Sequence, residues 1–490
     1  MSARGARSRP LRLAAGLRQG IEEATLEARF EEGRVAVVLA DPMADVDDPR
    51  MTFLALVNQI LRFSPHVLLG TDDRELLAAA RALAVDIHGP NAELPAIGSG
   101  EARGADVVVD VGDRSTGDPS WITVNSSGWV ARLLSGGDEG RLPWSAGSSN
   151  ALGALAAACL GAGEAFLVLS GVHRATRAWE HSLLEGGTGV PGAFGPGPDL
   201  PATPIELDGL LVGCGGVANG WADAIRRLPV SGRLITVDRQ ALRIENLGPY
   251  VLARLMDLGR PKAELLKEAL ERRLDVVSHA EEFELFSLRL SFGLALPPLV
   301  VGGLDNVETR HSIQRLWPTA LVDMAAGGTT AQVLGHMAGG GGQCLLGALT
   351  LPLEAERYED RVSELTGLRP ERILEGATTP VTAEDVAAAP PGMREKLDAA
   401  RRRGQLLCGR ITERNLTGEE ATEDFAPAAP FVSALAGTIG AAETMKLLLG
   451  LNSISGLHSQ YDFRGGKGRA LQMRCSTSCE CRSSLRKESA

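Results

Sequence analysis

The hydrophobic pattern divides the chain into short apolar runs, separated by longer segments whose apolar residues recur at helical spacing. Runs typical of buried strands lie at 34–40, 66–70 and 106–110 in the first half, and at 210–212 in the second. A long alanine-rich helix is predicted at 150–169. Strands that alternate with helices indicate a parallel sheet with helical crossovers, so the pattern predicts an α/β protein.

A second long helix of small residues is predicted near the C-terminus, and it matches the first. When Glu164 is aligned with Glu443, the segment 153–171 (GALAAACLGAGEAFLVLSG) lies over 432–450 (VSALAGTIGAAETMKLLLG) with several identical positions. Two alanine-rich helices can also match in this way by chance. Because each half opens with an apolar strand and ends with such a helix, we interpret the chain as an internal duplication.

Residues 207–262 carry the strongest local motif. An apolar strand runs into Gly213, Gly215 and Gly216, a helix begins directly behind them, and the next strand ends at Asp238. A glycine turn lets the backbone approach a ligand closely, and the free N–H groups at the helix N-terminus attract an anion. An acidic residue at the end of the second strand is placed to bind ribose hydroxyls. The motif therefore predicts a nucleotide site.

Composition shifts mark the domain boundaries. The first half has Asp41-Pro42-Met43 where the glycines of a phosphate turn would stand, so it is predicted to be a degenerate copy. The Pro/Gly-rich stretch 190–204 cannot bury enough apolar surface to fold alone and predicts a linker. In a polar, helix-prone insertion, the section 378–393 is rich in Pro and Ala and is expected to be a flexible break. The predicted domains are 1–170 (degenerate), 171–205 (linker), 206–350 with 425–490 (active) and 351–424 (insertion).

Composition narrows the function classes. A net charge of −11 argues against a nucleic-acid partner, which needs clustered basic residues. We find no apolar run of the roughly 18–20 residues that span a membrane, so no membrane partner is expected. Seven scattered cysteines in 490 residues favour a reducing, cytoplasmic setting. The basic segment 1–20 lacks the apolar region of a signal peptide, and we interpret it as a frayed arm in preference to a transit peptide.

Motifs downstream of Asp238 make the nucleotide signal specific. They are Asn246-Leu247, Gly259-Arg260-Pro261-Lys262, Asp305-Asn306 followed by Arg310, and the glycine-rich passage 322–344. In this order the motifs resemble the ubiquitin-activating-enzyme superfamily of the ThiF, MoeB and HesA type, and most of all its bacterial members that activate ubiquitin-like proteins. The resemblance covers about 206–350 and 425–465 well and the first half faintly. It implies two Rossmann-like adenylation-type domains, one degenerate and one active, that form a pseudo-dimer within the chain.

The resemblance also implies roles for individual residues. The turn of Gly213, Gly215 and Gly216 would admit ATP, and Asp238 would hold its ribose. Asn246 and Lys262 would contact the phosphates, while Asp305 would hold Mg²⁺. Such chemistry needs fixed cations, because negative charge builds on the phosphate oxygens when a carboxylate attacks. The alternatives are a solvated helix lysine for Lys262 and a helix cap for Asp305.

One position departs from the family pattern. Pro249 stands where the family has an arginine, so another cation must neutralise the phosphates. Arg254, about one turn further on, is one candidate, and a surface arginine is the alternative reading. The family also uses an arginine from the N-terminal segment of its dimer partner. In a fused duplicate that residue would come from the degenerate half, where Arg12 and Arg18 are candidates.

The cysteines divide into three groups. Cys408 lies in the insertion beside several arginines, which stabilise the reactive thiolate, so we predict that it is the catalytic cysteine in preference to a buried structural one. Cys159 and Cys214 are expected in the core. The last four, in a spacing unlike the family's two C-x-x-C pairs, are either a tetrahedral zinc site or a degenerate tail without metal. These four are Cys344, Cys475, Cys479 and Cys481.

The leading hypothesis is an ATP-dependent enzyme that activates a ubiquitin-like protein. It would adenylate the C-terminal carboxylate of that protein, capture it as a thioester on Cys408 and transfer it to a conjugating enzyme. One alternative is a sulfur-carrier or peptide adenylyltransferase without thioester transfer. Another is a non-catalytic module that binds a ubiquitin-like protein, which Pro249 and the degenerate first half make plausible.

Overall fold

The computed structural model describes most of the chain, and the fold is given for those residues. It divides into two compact units, Met1–Leu349 with Pro427–Ala490 and Thr350–Ala426, and each is described by itself. The described residues are 4–17, 23–39, 46–97, 102, 104–113, 116–135, 140–143, 150–172, 177–349, 363–364, 366–375, 381–402, 429–451, 454–476, 479 and 481.

The first half of the larger unit is built on one mixed sheet. Its first four strands are parallel, and the others extend the sheet in antiparallel fashion. The valine-rich central strands are buried, as expected where helices cover a parallel sheet. The order β2-β1-β3-β4-β5-β6-β7 is formed by β1 Arg34–Leu39, β2 His66–Gly70, β3 Val107–Val111, β4 Trp121–Ser127, β5 Val130–Ser135, β6 Arg177–Ser182 and β7 Gly187–Gly189.

Helices pack against this sheet and around its ends. They are α1 Arg4–Leu17, α2 Glu23–Glu32, α3 Asp47–Leu61, α4 Arg74–His88 and α5 Ala151–Leu169. Asp73 caps α4 by accepting from two backbone N–H groups, and Asn150 caps α5 in the same way with one. Small residues let α5 approach the sheet closely. A Cβ at Gly161, for instance, would lie 2.9 Å from Leu56 Cδ2 and 3.0 Å from Val109 Cγ1.

The second half repeats this topology. Its sheet has the order β10-β9-β8-β11-β12-β13-β14-β15, and without the edge strand β10 the order is that of the first sheet. The strands are β8 Ile205–Val212, β9 Val230–Val237, β10 Asp275–His279, β11 Leu299–Gly302, β12 Ala320–Gly327, β13 Thr330–Met337, β14 Leu457–Asp462 and β15 Lys467–Gln472. The helices are α6 Gly216–Ile225, α7 Lys262–Leu270, α8 Phe283–Ser291, α9 Val307–Gln314, α10 Leu345–Ala348 and α14 Pro430–Leu448, with 3₁₀ helices at Ile244–Asn246 and Leu255–Asp257.

The two halves share one hydrophobic core. Helix α5 packs against α14, and the rings of Phe166 and Phe431 on these helices lie 5.2 Å apart. Near the edge of the interface, Trp179 Nε1 donates a hydrogen bond to the Tyr461 hydroxyl at 2.9 Å. The predicted fold class, two α/β domains of Rossmann-like type, is therefore confirmed for the described residues.

Helices α5 and α14 overturn one expectation from the sequence. Each has 19 residues and is long and apolar enough, by length and composition alone, to cross a membrane. The apolar windows of these helices are 94% and 89% buried inside the protein, so here they are core helices. The prediction that no segment reaches this length is wrong, because alanine and glycine make a central core helix as apolar as a spanning one.

Two segments predicted to be irregular are ordered. Residues 4–17 form α1, with Leu13 and Ala14 buried, in place of a frayed arm. The predicted linker 171–205 contains β6 and β7, which pair with β5 and with each other. Their sequences are short and polar, so the strands depend on pairing with the sheet and not on a hydrophobic run of their own.

The smaller unit contains α11 Pro370–Glu375, α12 Ala383–Ala388 and α13 Pro391–Arg402 around a small apolar core. Thr382 and Asp385 form a capping box at the start of α12. The flexible break expected over 378–393 is wrong for its described part, because this cap and the proline in the first turn of α13 begin helices there. Cys408 lies outside the described residues.

Asp110, in β3, leads to a prediction about pH. Its side chain is buried, and burial followed by the nearby charge of Asp113 raises the pKa of its carboxyl to about 7. An unfolded aspartate has a pKa of about 3.9, so between these values only the folded state holds the proton, and stability falls as pH rises. The Asp110→Asn variant should lose this slope and gain up to about 4 kcal/mol over wild type at pH 8.

Thermal unfolding of both proteins between pH 5 and pH 8 measures this effect. Asp113→Asn should recover part of it, because the charge of Asp113 is the second cause of the shift. Equal pH slopes for wild type and Asp110→Asn would show that Asp110 is ionised throughout this range.

Candidate active site

The candidate site lies at the carboxyl ends of β8 and β11. These parallel strands are neighbours, and the chain leaves them to opposite sides of the sheet, since β9 follows β8 on one side and β12 follows β11 on the other. Ligands of open α/β sheets bind at such a switch point. The loops after β8, β9 and β11 carry the glycines and acidic residues predicted from the sequence.

The glycine turn is shaped by contact with the loop after β11. Gly213 has φ +84°, and a Cβ there would lie 2.8 Å from Leu304 Cδ2 and 2.9 Å from the Gly303 carbonyl oxygen, so a larger residue is excluded. Gly215 is the N-cap of α6 and provides no side-chain cap, which leaves the first N–H groups of the helix available. This arrangement suits an anion, and in particular a phosphate.

Asp238 is hydrogen-bonded to the glycine turn. It follows β9 directly, and its Oδ2 accepts from the Cys214 backbone N–H at 2.7 Å, while Oδ1 accepts from the Gln240 N–H at 2.7 Å. The half-buried carboxylate is thus fixed beside the turn, where the sequence predicts a ribose contact. Cys214 itself is buried, and burial followed by the charge of Asp238 raises the pKa of its thiol well above the ordinary value.

Lys262 is a buried cation at the start of α7. Only 5% of the residue is exposed, its Nζ donates to Gln240 Oε1 at 2.6 Å, and it lies 5.2 Å from the centre of the Tyr250 ring. Burial acts to lower the pKa of Lys262, but its interactions with the Tyr250 side chain and the Asp238 carboxylate outweigh burial and raise the pKa above its usual range. Lys262 is therefore a charged, positioned group, and the alternative of a solvated helix lysine is wrong.

Asn246 and Asp305 lie in the flanking loops. Asn246 is buried, and its Oδ1 accepts from the Arg243 N–H at 2.9 Å, which closes the 3₁₀ helix Ile244–Asn246. Asp305 is exposed just after β11, and the cap of α9 is Asn306, whose Oδ1 accepts from the Thr309 N–H at 2.7 Å. Because Asn306 provides the cap, the helix-cap alternative for Asp305 does not apply.

An ion pair anchors α9 behind Asp305. Arg310 Nε lies 2.9 Å from Asp323 Oδ2, and a second guanidinium nitrogen contacts the same oxygen. Both residues are buried, and Asp323 stands over Gly302, where a Cβ would lie 2.6 Å from Asp323 Oδ1. The pair fixes the loop that carries Asp305 and Asn306 between β11 and β12.

A cation from the first half lies near Lys262. Helix α1 packs against the 3₁₀ helix Ile244–Asn246, and the charge of Arg9 on α1 acts to lower the pKa of Lys262. The sequence predicted an arginine of the N-terminal segment at this place but named Arg12, which is exposed on α1, and Arg18, which lies outside the described residues. The signal that favours Arg9 is its place beside the apolar stripe of α1, which buries Leu13 and Ala14.

Arg254, a candidate for contacting the phosphates, forms an ion pair with an acidic residue of the first half. Its Nε lies 3.4 Å from Asp86 Oδ2 on α4, and its side chain is 55% exposed. The ion pair directs Arg254 toward the first half.

A model of the ThiF family matches residues 206–483 of the chain. The chain belongs to the ThiF family. This result confirms the predicted relationship to the ubiquitin-activating-enzyme superfamily and the adenylyltransferase-like fold of the second half.

Individual relatives match parts of the chain. The uncharacterized protein y4jF of Sinorhizobium fredii is 27% identical over 263 residues, which are 52% of this chain and 48% of y4jF. The NEDD8-activating enzyme E1 catalytic subunit of Arabidopsis thaliana is 31% identical over 144 residues, 28% of this chain and 30% of the relative. The chain thus aligns with about half or less of the length of these curated relatives.

Solved structures of E. coli MccB also align with the chain. The structure with MccA-N7isoASN has a TM-score of 0.36 at 14% identity, and the alignment covers 56% of this chain and 66% of MccB. The structure with ATP has a TM-score of 0.35 at 16% identity, with the same coverage.

The register of the two sheets shows which residues of the first half correspond to the ThiF-family site. The β4–β5 hairpin closes at the pair Ser127–Val130, and the β12–β13 hairpin closes at Gly327–Thr330. Thr123 of β4 and Asp323 of β12 each lie four residues before the closing residue of their hairpin. They pair with Asp110 of β3 and Gly302 of β11, so Asp110 occupies the position of Gly302. The same pairing ladder places Gly70 of β2 at the position of Val237 in β9.

The correspondence identifies what the first half has lost. Thr71 follows β2 where Asp238 follows β9, and the residues after β1 are Ala40-Asp41-Pro42 where the second half has Cys214-Gly215-Gly216. Asp113, however, stands three residues after Asp110, as Asp305 stands three residues after Gly302. Its carboxylate lies 2.6 Å from Arg141 Nη2. At these register positions the sequence of the first half therefore has no glycine after β1 and no counterpart of Asp238, but it has an acidic residue at the position of Asp305.

Four cysteines from distant parts of the sequence come together in the segments that follow β13 and β15. Gly342 forms a bridge with Arg474, and the Gln343 N–H donates to the Met473 carbonyl at 2.8 Å, which aligns the two segments that carry them. Three of the four cysteines are buried, and one is half-buried. The Sγ atoms that lie within 4.8 Å of one another belong to Cys344, Cys475, Cys479 and Cys481.

The donor set fits zinc. Tetrahedral zinc with bonds of about 2.3 Å to sulfur places the sulfurs about 3.8 Å apart. Here Cys344 and Cys479 have Sγ atoms 3.3 Å apart, as do Cys479 and Cys481, while those of Cys475 and Cys481 are 2.8 Å apart. Small outward movements of the side chains would give the tetrahedral spacing, so the abnormal sequence spacing does not prevent a four-thiolate site.

Proposed function

We propose that the protein binds MgATP in its second half and adenylates the C-terminal carboxylate of a small ubiquitin-like protein. The observation that carries the proposal is Lys262. It is a buried, charged group that occurs in the family's motif order together with the glycine turn, Asp238 and Asp305. The partial match to an Arabidopsis thaliana NEDD8-activating enzyme supports the class of substrate. The fit to ATP rests on the start of α6, where Gly215 makes no side-chain cap and the first N–H groups of the helix are available to a phosphate.

Each side chain has a role in this proposal. The N–H groups at the start of α6 and the ammonium of Lys262 would meet the phosphates, and Asp238 would accept from the ribose hydroxyls. Asp305 would hold Mg²⁺, which when bound neutralises charge on the phosphate oxygens. Attack of the substrate carboxylate on the α-phosphate then forms an acyl–adenylate and releases pyrophosphate. Pro249 contributes no cation, and Arg9 is proposed to provide the missing charge from the first half.

The matched pair Asp305 and Asp113 tests the adenylation site. ATP–pyrophosphate exchange should require wild-type enzyme, Mg²⁺ and a cognate ubiquitin-like protein. Asp305→Ala should lower it by about 10²-fold or more, because the metal loses its ligand. Asp113→Ala, at the same register position of the first half, should leave exchange unchanged. Wild-type protein without exchange with any cognate partner would refute the proposal and favour the non-catalytic module, for which Pro249 and the degenerate half are the supporting features.

We further propose that Cys408 receives the acyl group as a thioester and passes it to a conjugating enzyme. The arginines around Cys408 in the sequence support this role because they favour the thiolate. In the reaction the thiolate attacks the acyl carbon of the adenylate and AMP leaves. A sulfur-carrier or peptide adenylyltransferase, the alternative, would need no such step.

The Cys408 variants separate these two enzymes. Cys408→Ala should keep pyrophosphate exchange but lose the thiol-sensitive adduct with the ubiquitin-like protein on a non-reducing gel. Cys408→Ser should form an adduct that survives thiol but not hydroxide, as an oxyester does. An adduct that persists in Cys408→Ala would assign the thioester to another residue, and no adduct in wild type would favour the sulfur-carrier or peptide reaction.

The remaining proposals concern assembly and setting. The shared core of the two halves and their repeated topology support an intrachain pseudo-dimer with one active and one degenerate site. The four clustered thiols support one structural zinc ion. A reducing, cytoplasmic setting would keep these thiols and Cys408 reduced.

A further inference from the structure

The first half also contacts the back of the segment that shapes the nucleotide site. Arg62, the C-cap of α3, is 3% exposed and donates to three backbone carbonyls of the second half. Its Nη1 donates to Leu247 O, and its Nη2 donates to Val251 O at 2.9 Å and to Ala253 O at 3.2 Å. One guanidinium therefore holds three successive points of the segment 247–253.

Asn58, one turn earlier on α3, completes this contact. Its Oδ1 accepts from Arg62 Nε at 2.9 Å, and its Nδ2 donates to the Val251 carbonyl at 2.9 Å. The amide thus orients the guanidinium and binds the same carbonyl. Burial lowers the pKa of Arg62 to about 9, against the opposing charges of Asp223 and Asp86, so the side chain stays protonated at neutral pH.

The contact of Arg62 and Asn58 with the segment adjoins a pocket between the halves. A cavity of about 290 Å³ lies between the halves, lined by Asn58, Leu83 and Asp86 of the first half and by Asp223 and Val251 of the second, among others. Val251 is the member of the segment that lines this space, and Arg62 and Asn58 both donate to its carbonyl oxygen.

The clamped segment carries residues of the site. Tyr250 lies between the carbonyls of Leu247 and Val251, and its ring faces the ammonium of Lys262 at 5.2 Å. A Cβ at Gly215 would lie 3.6 Å from the Tyr250 hydroxyl. A shift of the segment would therefore move Tyr250 against both the glycine turn and the lysine.

We propose that Arg62 of the degenerate half is a positioning residue that sets the ATP affinity of the active half by holding residues 247–253. The inference rests on the proposed function, since it assigns ATP to that site. It gives the degenerate half a second task at the site besides the contribution of Arg9. Arg62 acts through Tyr250 and Lys262 and does not touch the nucleotide.

Calorimetric binding of the ATP analogue AMPCPP with Mg²⁺ to the full chain tests this role. Arg62→Met should weaken binding by about 10- to 100-fold, because the segment that positions Tyr250 loses the hydrogen bonds of a charged donor. Arg62→Lys, which keeps the charge but not the fork of donors, should give an intermediate Kd. The matched control is Lys446→Met. Lys446 is likewise a buried cation between the halves, and its Nζ donates to Leu183 O and Leu184 O at 3.2 and 3.1 Å, far along α14 from the site.

The outcomes are distinct. Lys446→Met should lower the melting temperature and leave the Kd unchanged, whereas Arg62→Met should change the Kd. An unchanged Kd in Arg62→Met would show that Arg62 is structural only and overturn the inference. If Arg62→Met does not fold, Asn58→Ala, which removes one bond to Val251, should raise the Kd several-fold, and an unchanged value would overturn it equally. Wild-type protein that does not bind AMPCPP would refute the proposed function itself.

Discussion

Lys262→Met should reduce ATP–pyrophosphate exchange by about 10²- to 10³-fold while the protein stays folded. The expectation follows from its position, because a preorganised cation in a buried site interacts with developing negative charge far more strongly than it would in water. Methionine keeps the apolar stem of lysine and removes the ammonium, together with its hydrogen bond to Gln240 Oε1 and its contact with the Tyr250 ring. Steady-state exchange at saturating ATP and ubiquitin-like protein measures the effect on the chemical step.

Lys267 is the matched control for this substitution. It lies on the same helix α7 but is half-exposed, so Lys267→Met changes the net charge and the helix composition equally. Exchange should remain at the wild-type rate in that variant. Equal losses in both variants would show that the effect of Lys262→Met is general to the helix, and no loss in either would remove Lys262 from the mechanism.

Sequence reasoning located the parts of the site that lie within single loops. The turn at Gly213 and the acid Asp238 follow from local rules about strand ends and helix starts, and the structure places them within hydrogen-bonding distance of each other through Cys214. Lys262 could be named from its spacing in the family motif. Its burial could not, because burial depends on Tyr250 and Gln240, which pack around it only in the folded chain.

Contacts between the halves were beyond the reach of the sequence. Arg9 and Arg62 lie in helices of the first half, 253 and 185 residues before the groups that they approach, Lys262 and Leu247. No local pattern relates such distant positions. Resemblance to a family indicated that an N-terminal arginine should reach the site, but choosing among several arginines required the packing of α1. The strands β6 and β7 were missed for a related reason, since short polar strands are defined by their partners.

The proposed function gives the two halves different tasks. The second half has the glycine turn, Asp238 and Asp305. The first half provides α1, which packs against the 3₁₀ helix Ile244–Asn246, and Arg62 at the end of α3, which donates to backbone carbonyls of the second half. Loss of the glycines after β1 costs the first half its own phosphate turn. It leaves the hydrogen bonds of Arg62 intact, because Arg62 lies outside the lost loop.

Removal of metal from the four-cysteine cluster should destabilise the second half more than any single surface change. Purified wild-type protein should contain about one zinc per chain by elemental analysis, and Cys344→Ser with Cys479→Ser should contain less than about 0.1. Zinc binding by four thiolates is worth on the order of 10 kcal/mol at neutral pH, and a site absent from the unfolded chain adds that free energy to folding. Chelation should therefore lower the melting temperature of wild type and leave that of the double variant unchanged.

The control for zinc is Cys159, a thiol outside the cluster. It is buried in α5, so Cys159→Ala tests loss of a buried thiol without loss of a ligand, and that variant should retain full zinc content. Wild-type protein free of zinc after expression in zinc-supplemented medium would contradict the prediction. The 2.8 Å separation of Cys475 and Cys481 Sγ would then favour a disulfide in that pair under oxidising conditions. Thiol titration distinguishes the two states, because zinc-bound thiolates become reactive on chelation whereas a disulfide becomes reactive only on reduction.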